Sequence, residues 1–160
     1  MGVEFFNLKN GSGFPSSGKY GSWYDTSTQN ALASDTAYPM IFGTNDFASG
    51  ISVVSDGVNL TRITTQFQGI YNLQFSCQFQ NNDNALHDAC IWLRKNNLDV
   101  DNTASLFTIP IRKNSTTFGS LIVAWNFLLQ ANSGDYFQIM WSTSDFNHIY
   151  MPTLPAQSPY

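Results

Sequence analysis

The alternation of apolar and polar side chains along the chain predicts β-strands. The clearest case is GIYNLQFSCQFQ, residues 69–80, in which every second residue from Tyr71 to Phe79 is apolar and those between are Asn, Gln and Ser. This period of two is typical of a half-buried strand. A shift by one residue would expose five apolar side chains, so the register is strongly specified. Residues 135–145 alternate in the same way.

The segment GSLIVAWNFLLQ, residues 119–130, is apolar on both faces. Every second residue from Leu121 to Leu129 forms one face, whereas Ile122, Ala124 and Leu128 form the other. In an antiparallel sheet one face packs on the core, and an apolar second face has to be covered as well. The pattern therefore predicts that a neighbouring subunit covers this strand.

Weaker strand patterns fill the rest of the chain. They are separated by turn-forming Asn, Asp, Gln and Gly residues and occur at 20–25, 38–42, 50–55, 58–66, 88–95 and 105–112. No helical repeat of apolar residues is present. Many short strands joined by polar turns predict an all-β sandwich or barrel in one domain.

The stretch IWLRKNN is interpreted as a core strand that ends in a turn. Ile91 and Leu93 are expected to point into the core, and Trp92 and Arg94 to point outward with the guanidinium over the indole. Asparagine tolerates positive φ, so Asn96-Asn97 predicts a tight turn.

Residues 1–19 are predicted to form a short extended arm. Phe5, Phe6, Leu8 and Phe14 are set among Gly, Ser and Pro without a sustained period. One interpretation is that the arm packs on its own domain, and the other is that these four side chains dock on a partner.

Composition narrows the classes of function. Charged residues make up 11% of the 160 residues, the net charge is −4, and the polar surface must therefore be built from uncharged side chains. Without a basic stripe we expect no nucleic-acid partner. No apolar run approaches the ~20 residues of a membrane span, and no signal-like N-terminus is present, so we expect a soluble protein made in a cytosol.

The sequence offers little catalytic chemistry. Its two histidines, His87 and His148, lie in no recognised nucleophile motif. Together with Cys77 and Cys90 they lack the ligand spacing of a zinc site. The two cysteines fall on opposite strand faces, which predicts two free thiols. We expect no enzyme, no metal and no cofactor.

An ordered series of motifs resembles a jelly-roll module of tailed-phage structural proteins. The matching residues lie within 20–150 and include Gly69-x-Tyr71, Ile91 to Asn96, Val123 to Phe127, Gly134 to Tyr136, and Met140 to Asp145. It is their order along the chain that makes the resemblance specific. The module is similar to the trimeric jelly roll of tumour-necrosis-factor (TNF) and complement globular-head domains.

The resemblance implies a TNF-like sandwich of two antiparallel sheets, a homotrimer and no catalysis. The domain would cover residues 20–160 behind the arm 1–19. The candidate trimer contacts are Ile122, Ala124, Leu128, Trp92 and Arg94. Relatives carry a last apolar strand beside the first, so that strand is atypical here: it comes from residues beyond 160, from 148–154, or from a neighbour.

The expected function is that of a bacteriophage virion protein, made in the host cytoplasm. The first role is a trimeric decoration or cement protein, whose arm docks on the major capsid protein and stabilises the shell. The alternative is a tail fibre or baseplate module that contacts host glycans. A rival class is a carbohydrate-binding module using Trp23, Tyr24 and Trp92.

Overall fold

The computed structural model describes residues 2–7 and 18–154, with the main chain alone for residues 4–7. The described residues form two antiparallel sheets that pack face to face. Their strands are β1 (Gly2–Asn7), β2 (Tyr20–Tyr24), β3 (Gln29–Asn30), β4 (Tyr38–Pro39), β5 (Thr44–Ser49), β6 (Ile51–Ser55), β7 (Leu60–Thr65), β8 (Gly69–Asn81), β9 (His87–Lys95), β10 (Leu98–Asp99), β11 (Ser105–Ile109), β12 (Gly119–Ala131), β13 (Tyr136–Thr143) and β14 (Ile149–Met151).

Sheet A is built around the two longest strands. β8 and β12 pair along their full length, from Gly119 opposite Asn81 to Ala131 opposite Gly69. On its other side β8 pairs with both β1 and β14. β1 continues to β2 and β5, and β14 continues to β3.

Sheet B is built around β9 and β13, which pair from Phe137 opposite Lys95 to Thr143 opposite Ala89. β10 and β11 lie on the other side of β9. β7 and β4 lie on the other side of β13, and β6 pairs with β7.

The core lies between the sheets and follows the predicted alternation. Every second residue of β8 from Tyr71 to Phe79 is buried, as predicted. Trp141 of sheet B is also buried, and its ring centroid lies 5.7 Å from that of Phe79 in sheet A. Such aromatic pairs add about 0.5–1.5 kcal/mol beyond the burial of their area. The predicted all-β sandwich of two antiparallel sheets is confirmed.

The first residues of the predicted arm pack on their own domain, as one of the two interpretations expected, and they do so as a strand. Gly2–Asn7 lies between β2 and β8, with Phe5 opposite both Gly21 and Leu73. The alternation of the segment is too short to have shown this, because pairing depends on distant partners. Phe6 belongs to the same strand, whereas Leu8 and Phe14 lie outside the described residues. Residue 19 is therefore no boundary for residues 2–7, which belong to the jelly roll.

Two strands, β1 near the N-terminus and β14 near the C-terminus, share the position beside β8 that the expected last strand would occupy. Ile149–Met151, within the predicted alternative 148–154, pairs with only the last two residues of β8. β1 pairs with β8 from Tyr71 to Ser76. Because unpaired strand edges invite aggregation, the N-terminal strand protects an edge that the short β14 leaves open.

The predicted tight turn at Asn96-Asn97 is confirmed, whereas the predicted cation–π contact between Arg94 and Trp92 is wrong. Asn96 and Asn97 have φ of 49° and 68°, the pair of positive values that a two-residue hairpin turn requires. Arg94 Nε donates to Asp99 Oδ1 at 2.7 Å rather than lying over Trp92. This hydrogen bond is the main cause that holds the pKa of Asp99 below its ordinary value.

The two cysteines lie in different sheets and are both free. Burial raises the pKa of the Cys77 thiol to about 12, and it also raises the pKa of the Cys90 thiol. Within the described ranges, no helix is long and apolar enough to span a membrane.

Asp135 is predicted to make stability depend on pH. Its carboxylate is 2.8 Å from Lys95 Nζ and also accepts from the Asn132 N–H and from Asn96 Nδ2. These contacts, Lys95 first, lower its pKa from 3.8 to about 2. A lowered pKa contributes stability that is complete above the unfolded-state value and is lost as pH falls towards 2.

We expect Asp135→Asn to lower the free energy of unfolding by about 1.5–3 kcal/mol at pH 7, the usual range for a hydrogen bond to a charged group. The difference from wild type should shrink between pH 4 and pH 2. Urea denaturation across this range measures it, with the exposed Asp101→Asn as control. A deficit that stays constant down to pH 2 would contradict the role of the charge.

Candidate functional site

The outer surface of β8 and β12 is an uncharged face of sheet A. Neither strand contains a charged residue. We name this surface the β8–β12 face; its outward residues are Ile70, Asn72, Gln74, Ser76, Gln78, Gln80, Ser120, Ile122, Ala124, Asn126, Leu128 and Gln130. Ile122 and Leu128 are 72% and 68% exposed. The prediction that strand 119–130 presents apolar residues on its second face is confirmed.

β12 is also an edge strand. Among the described residues it pairs with β8 alone, so the main chain along its other side has no strand partner there. Folded proteins usually blunt long edges with Lys, Pro or a bulge. β12 has thirteen residues with none of these devices, and its pairing with β8 is continuous. This edge is therefore suited to contact with another chain.

A shallow groove of about 500 Å³ crosses the β8–β12 face. Its floor is a row of small residues, Ala124 opposite Ser76 and Ser76 opposite Gly2. Gln74 and Asn126 line the groove beside this row. These lining residues are uncharged, so this part of the groove is suited to an apolar or amide side chain.

The five candidate trimer contacts fall into two groups. Ile122, Ala124 and Leu128 lie together on the outer face of sheet A. Trp92 and Arg94 lie on the outward positions of β9 in sheet B, and both are half-buried. Because the outer faces of the two sheets point in opposite directions, all five residues cannot belong to one flat contact.

The aromatic residues proposed for carbohydrate binding do not form a platform. Trp23 is 3% exposed and belongs to the core. Its ring packs over Gly21, where an added Cβ would lie 2.0 Å from the ring. Tyr24 and Trp92 are half-buried in different sheets.

The structure brings both histidines together with two aspartates. Asp83 and His87 come from the β8–β9 turn and the start of β9, whereas Asp145 and His148 come from the β13–β14 loop. One ligand atom from each of these four residues lies within 4.8 Å of the others. The imidazole rings are parallel, with an interplanar angle of 4° and centroids 5.8 Å apart. We name these four residues the His–Asp cluster.

Each aspartate of the cluster uses one oxygen for the main chain and directs the other to a histidine. Asp83 Oδ1 accepts from the Asn84 N–H, and its Oδ2 is 2.9 Å from His87 Nε2. Asp145 Oδ1 accepts from the Asn147 N–H, and its Oδ2 is 2.8 Å from His148 Nδ1 and 3.5 Å from His87 Nε2. Both carboxylates are thereby oriented before any ligand binds.

The pKa values of both aspartates are lowered. For Asp83 the main cause is the hydrogen bond with His87, followed by the Asn84 N–H. For Asp145 burial raises the pKa, but the hydrogen bonds with His148 and the Asn147 N–H outweigh it. Both groups therefore remain anionic at neutral pH.

The sequence did not reveal this cluster, because the two histidines were considered only together with the cysteines and only against the ligand spacing of single zinc motifs. Neither Cys77 nor Cys90 joins the histidines. The available signal was an aspartate shortly before each histidine, Asp83 four residues before His87 and Asp145 three before His148. The meeting of the two pairs depends on the adjacency of the two loops.

Comparison with known proteins yields a likeness of fold. No protein-family model matches the chain, and no curated protein matches it. Among solved structures, Eiger TNF from S. frugiperda is similar with a TM-score of 0.47 and 8% sequence identity. The alignment covers 99% of this chain and 96% of that one. The likeness concerns the jelly-roll fold alone.

Proposed function

We propose that this protein is a homotrimeric structural protein of a bacteriophage virion, assembled through the β8–β12 face. The observation that carries the proposal is the absence of charge on two paired strands with Ile122 and Leu128 exposed between uncharged polar residues. Cores of protein interfaces are depleted of charged residues in the same way. A solvated sheet face would normally carry Lys, Glu or Asp.

A second copy of the chain fits this face better than a different partner of opposite charge. The face offers nothing for charge complementarity, so contact depends on apolar burial and on amide hydrogen bonds. At about 3.3 Å per residue, thirteen paired residues give a strip roughly 40 Å long. Such a strip can supply much of the ~800 Å² that each partner of a stable interface buries.

Within the virion we propose the role of a capsid decoration or cement protein, with the major capsid protein as partner. The position of Trp23 in the core disfavours the rival class of a carbohydrate-binding module, for which Trp23 was a candidate. The main chain of Phe5 and Phe6 is already paired in β1, so strand addition to a shell protein does not involve these residues. The side chains of Phe5, Phe6, Leu8 and Phe14 remain the predicted docking contacts.

Sedimentation of the purified chain tests the assembly. The expected species has three times the 17.9 kDa mass of the chain. A monomer at tens of micromolar would reject the proposed contact. Mass spectrometry of purified particles and binding to undecorated shells test the location separately. If the chain is a trimer but is absent from capsids, the proposed trimeric assembly stands and the proposed decoration role is rejected.

A further inference from the structure

We propose that the His–Asp cluster is a structural binding site for a divalent transition ion of the zinc class. This inference does not rest on the proposed virion function. It starts from the donor set, two imidazole nitrogens and two carboxylate oxygens. Imidazole suits Zn²⁺, Co²⁺ and Ni²⁺, whereas Mg²⁺ and Ca²⁺ prefer sites made of oxygen alone.

The distances fit four-coordinate geometry. In a tetrahedron with bonds of about 2.0–2.1 Å, neighbouring ligand atoms are about 3.3 Å apart. The three measured N···O distances are 2.8, 2.9 and 3.5 Å. No pair among the four ligand atoms exceeds 4.8 Å. An ion can therefore replace the protons between these atoms with movements of about 1 Å or less.

The surroundings of the cluster hold the ligands in place. The carboxylate oxygens that do not face the histidines accept main-chain hydrogen bonds, the outer contacts that orient metal ligands in known sites. The two loops are also joined directly, because the Asn82 N–H donates to the His148 carbonyl at 3.1 Å. The Arg112 N–H donates to the Asp83 carbonyl at 2.8 Å. Little chain entropy remains to be lost when an ion binds.

Four protein ligands complete a tetrahedron and leave no position for substrate, which is the arrangement of a structural site. The side chains of the cluster retain access to solvent, from 16% exposure at His87 to 40% at His148. An ion can thus enter the folded protein. It would tie the β8–β9 turn to the β13–β14 loop and stabilise that end of the sandwich.

The test uses the full chain without an affinity tag, stripped with chelator and then dialysed against ZnCl₂. We expect one Zn²⁺ per chain by elemental analysis, undiminished by excess Mg²⁺ or Ca²⁺. Free Zn²⁺ at about 100 times its dissociation constant should raise the folding constant about 100-fold, measured by urea denaturation. Substitution by Co²⁺ should give the intense visible bands of tetrahedral coordination.

Asp145→Asn keeps the side-chain shape but removes the carboxylate, and His148→Asn removes the imidazole; each should abolish the zinc-dependent stabilisation. Asp88→Asn, in the same region but outside the cluster, is the matched control and should bind as wild type does. Near-ultraviolet circular dichroism without metal confirms that each variant is folded.

Less than one-tenth of an ion per wild-type chain, or undiminished binding by both ligand variants, would overturn the proposal. If both variants fail to fold, the Co²⁺ spectrum of the wild-type chain decides, and octahedral bands would reject the site.

Discussion

Leu128→Arg is expected to convert the proposed trimer into a folded monomer. Leu128 is 68% exposed in the single chain, so the substitution removes little packing within the subunit. In the proposed contact the guanidinium would enter an uncharged face, because neither β8 nor β12 supplies a carboxylate. Burying an unpaired charge costs several kcal/mol. Since 1.4 kcal/mol is a factor of ten, we expect association to weaken by about 100-fold or more.

Sedimentation velocity over a range of concentrations measures the effect, and Ile122→Arg should reproduce it. The matched control is Leu106→Arg, because Leu106 is 73% exposed on β11 of sheet B. This control should remain trimeric. If Leu128→Arg and Leu106→Arg sediment alike as trimers, the β8–β12 face is not the subunit contact.

The strands of the sandwich could be predicted because their signal is local. The inward residues of β8 are buried in the order that the alternation gives. The apolar second face of β12 was equally visible, since Ile122 and Leu128 stand at outward positions of a strand whose inward positions are also apolar. Period two depends only on the neighbouring residues of one strand.

Contacts between distant parts of the chain could not be predicted in this way. Nothing in residues 2–7 specifies that this segment lies between β2 and β8. The choice between Trp92 and Asp99 as the partner of Arg94 depends on how the hairpin folds back, which brings Asp99 opposite Arg94. The His–Asp cluster likewise requires two loops to meet.

Gly119→Ala is expected to destabilise the fold strongly, and this position too carries no signal in the sequence. Gly119 is the buried first residue of β12, and the chain from β11 passes over it. A Cβ at this position would lie 1.8 Å from the carbonyl oxygen of Pro110 and 2.7 Å from that of Ile111. Both neighbours are main-chain atoms, so no side-chain rotation can relieve the overlap. We expect a loss of about 3 kcal/mol in the free energy of unfolding, the upper part of the range for overpacking.

Gly43→Ala is the matched control, because the nearest atom to its added Cβ is a side-chain oxygen of Asp25 at 3.2 Å. It should change stability by no more than about 0.5 kcal/mol. Urea denaturation of both variants measures the difference, and an unchanged m-value would show that the surface exposed on unfolding is the same. Equal midpoints for both variants would mean that the 110–118 segment can move away from β12. Such movement would strain the hydrogen bond from the Arg112 N–H to the Asp83 carbonyl.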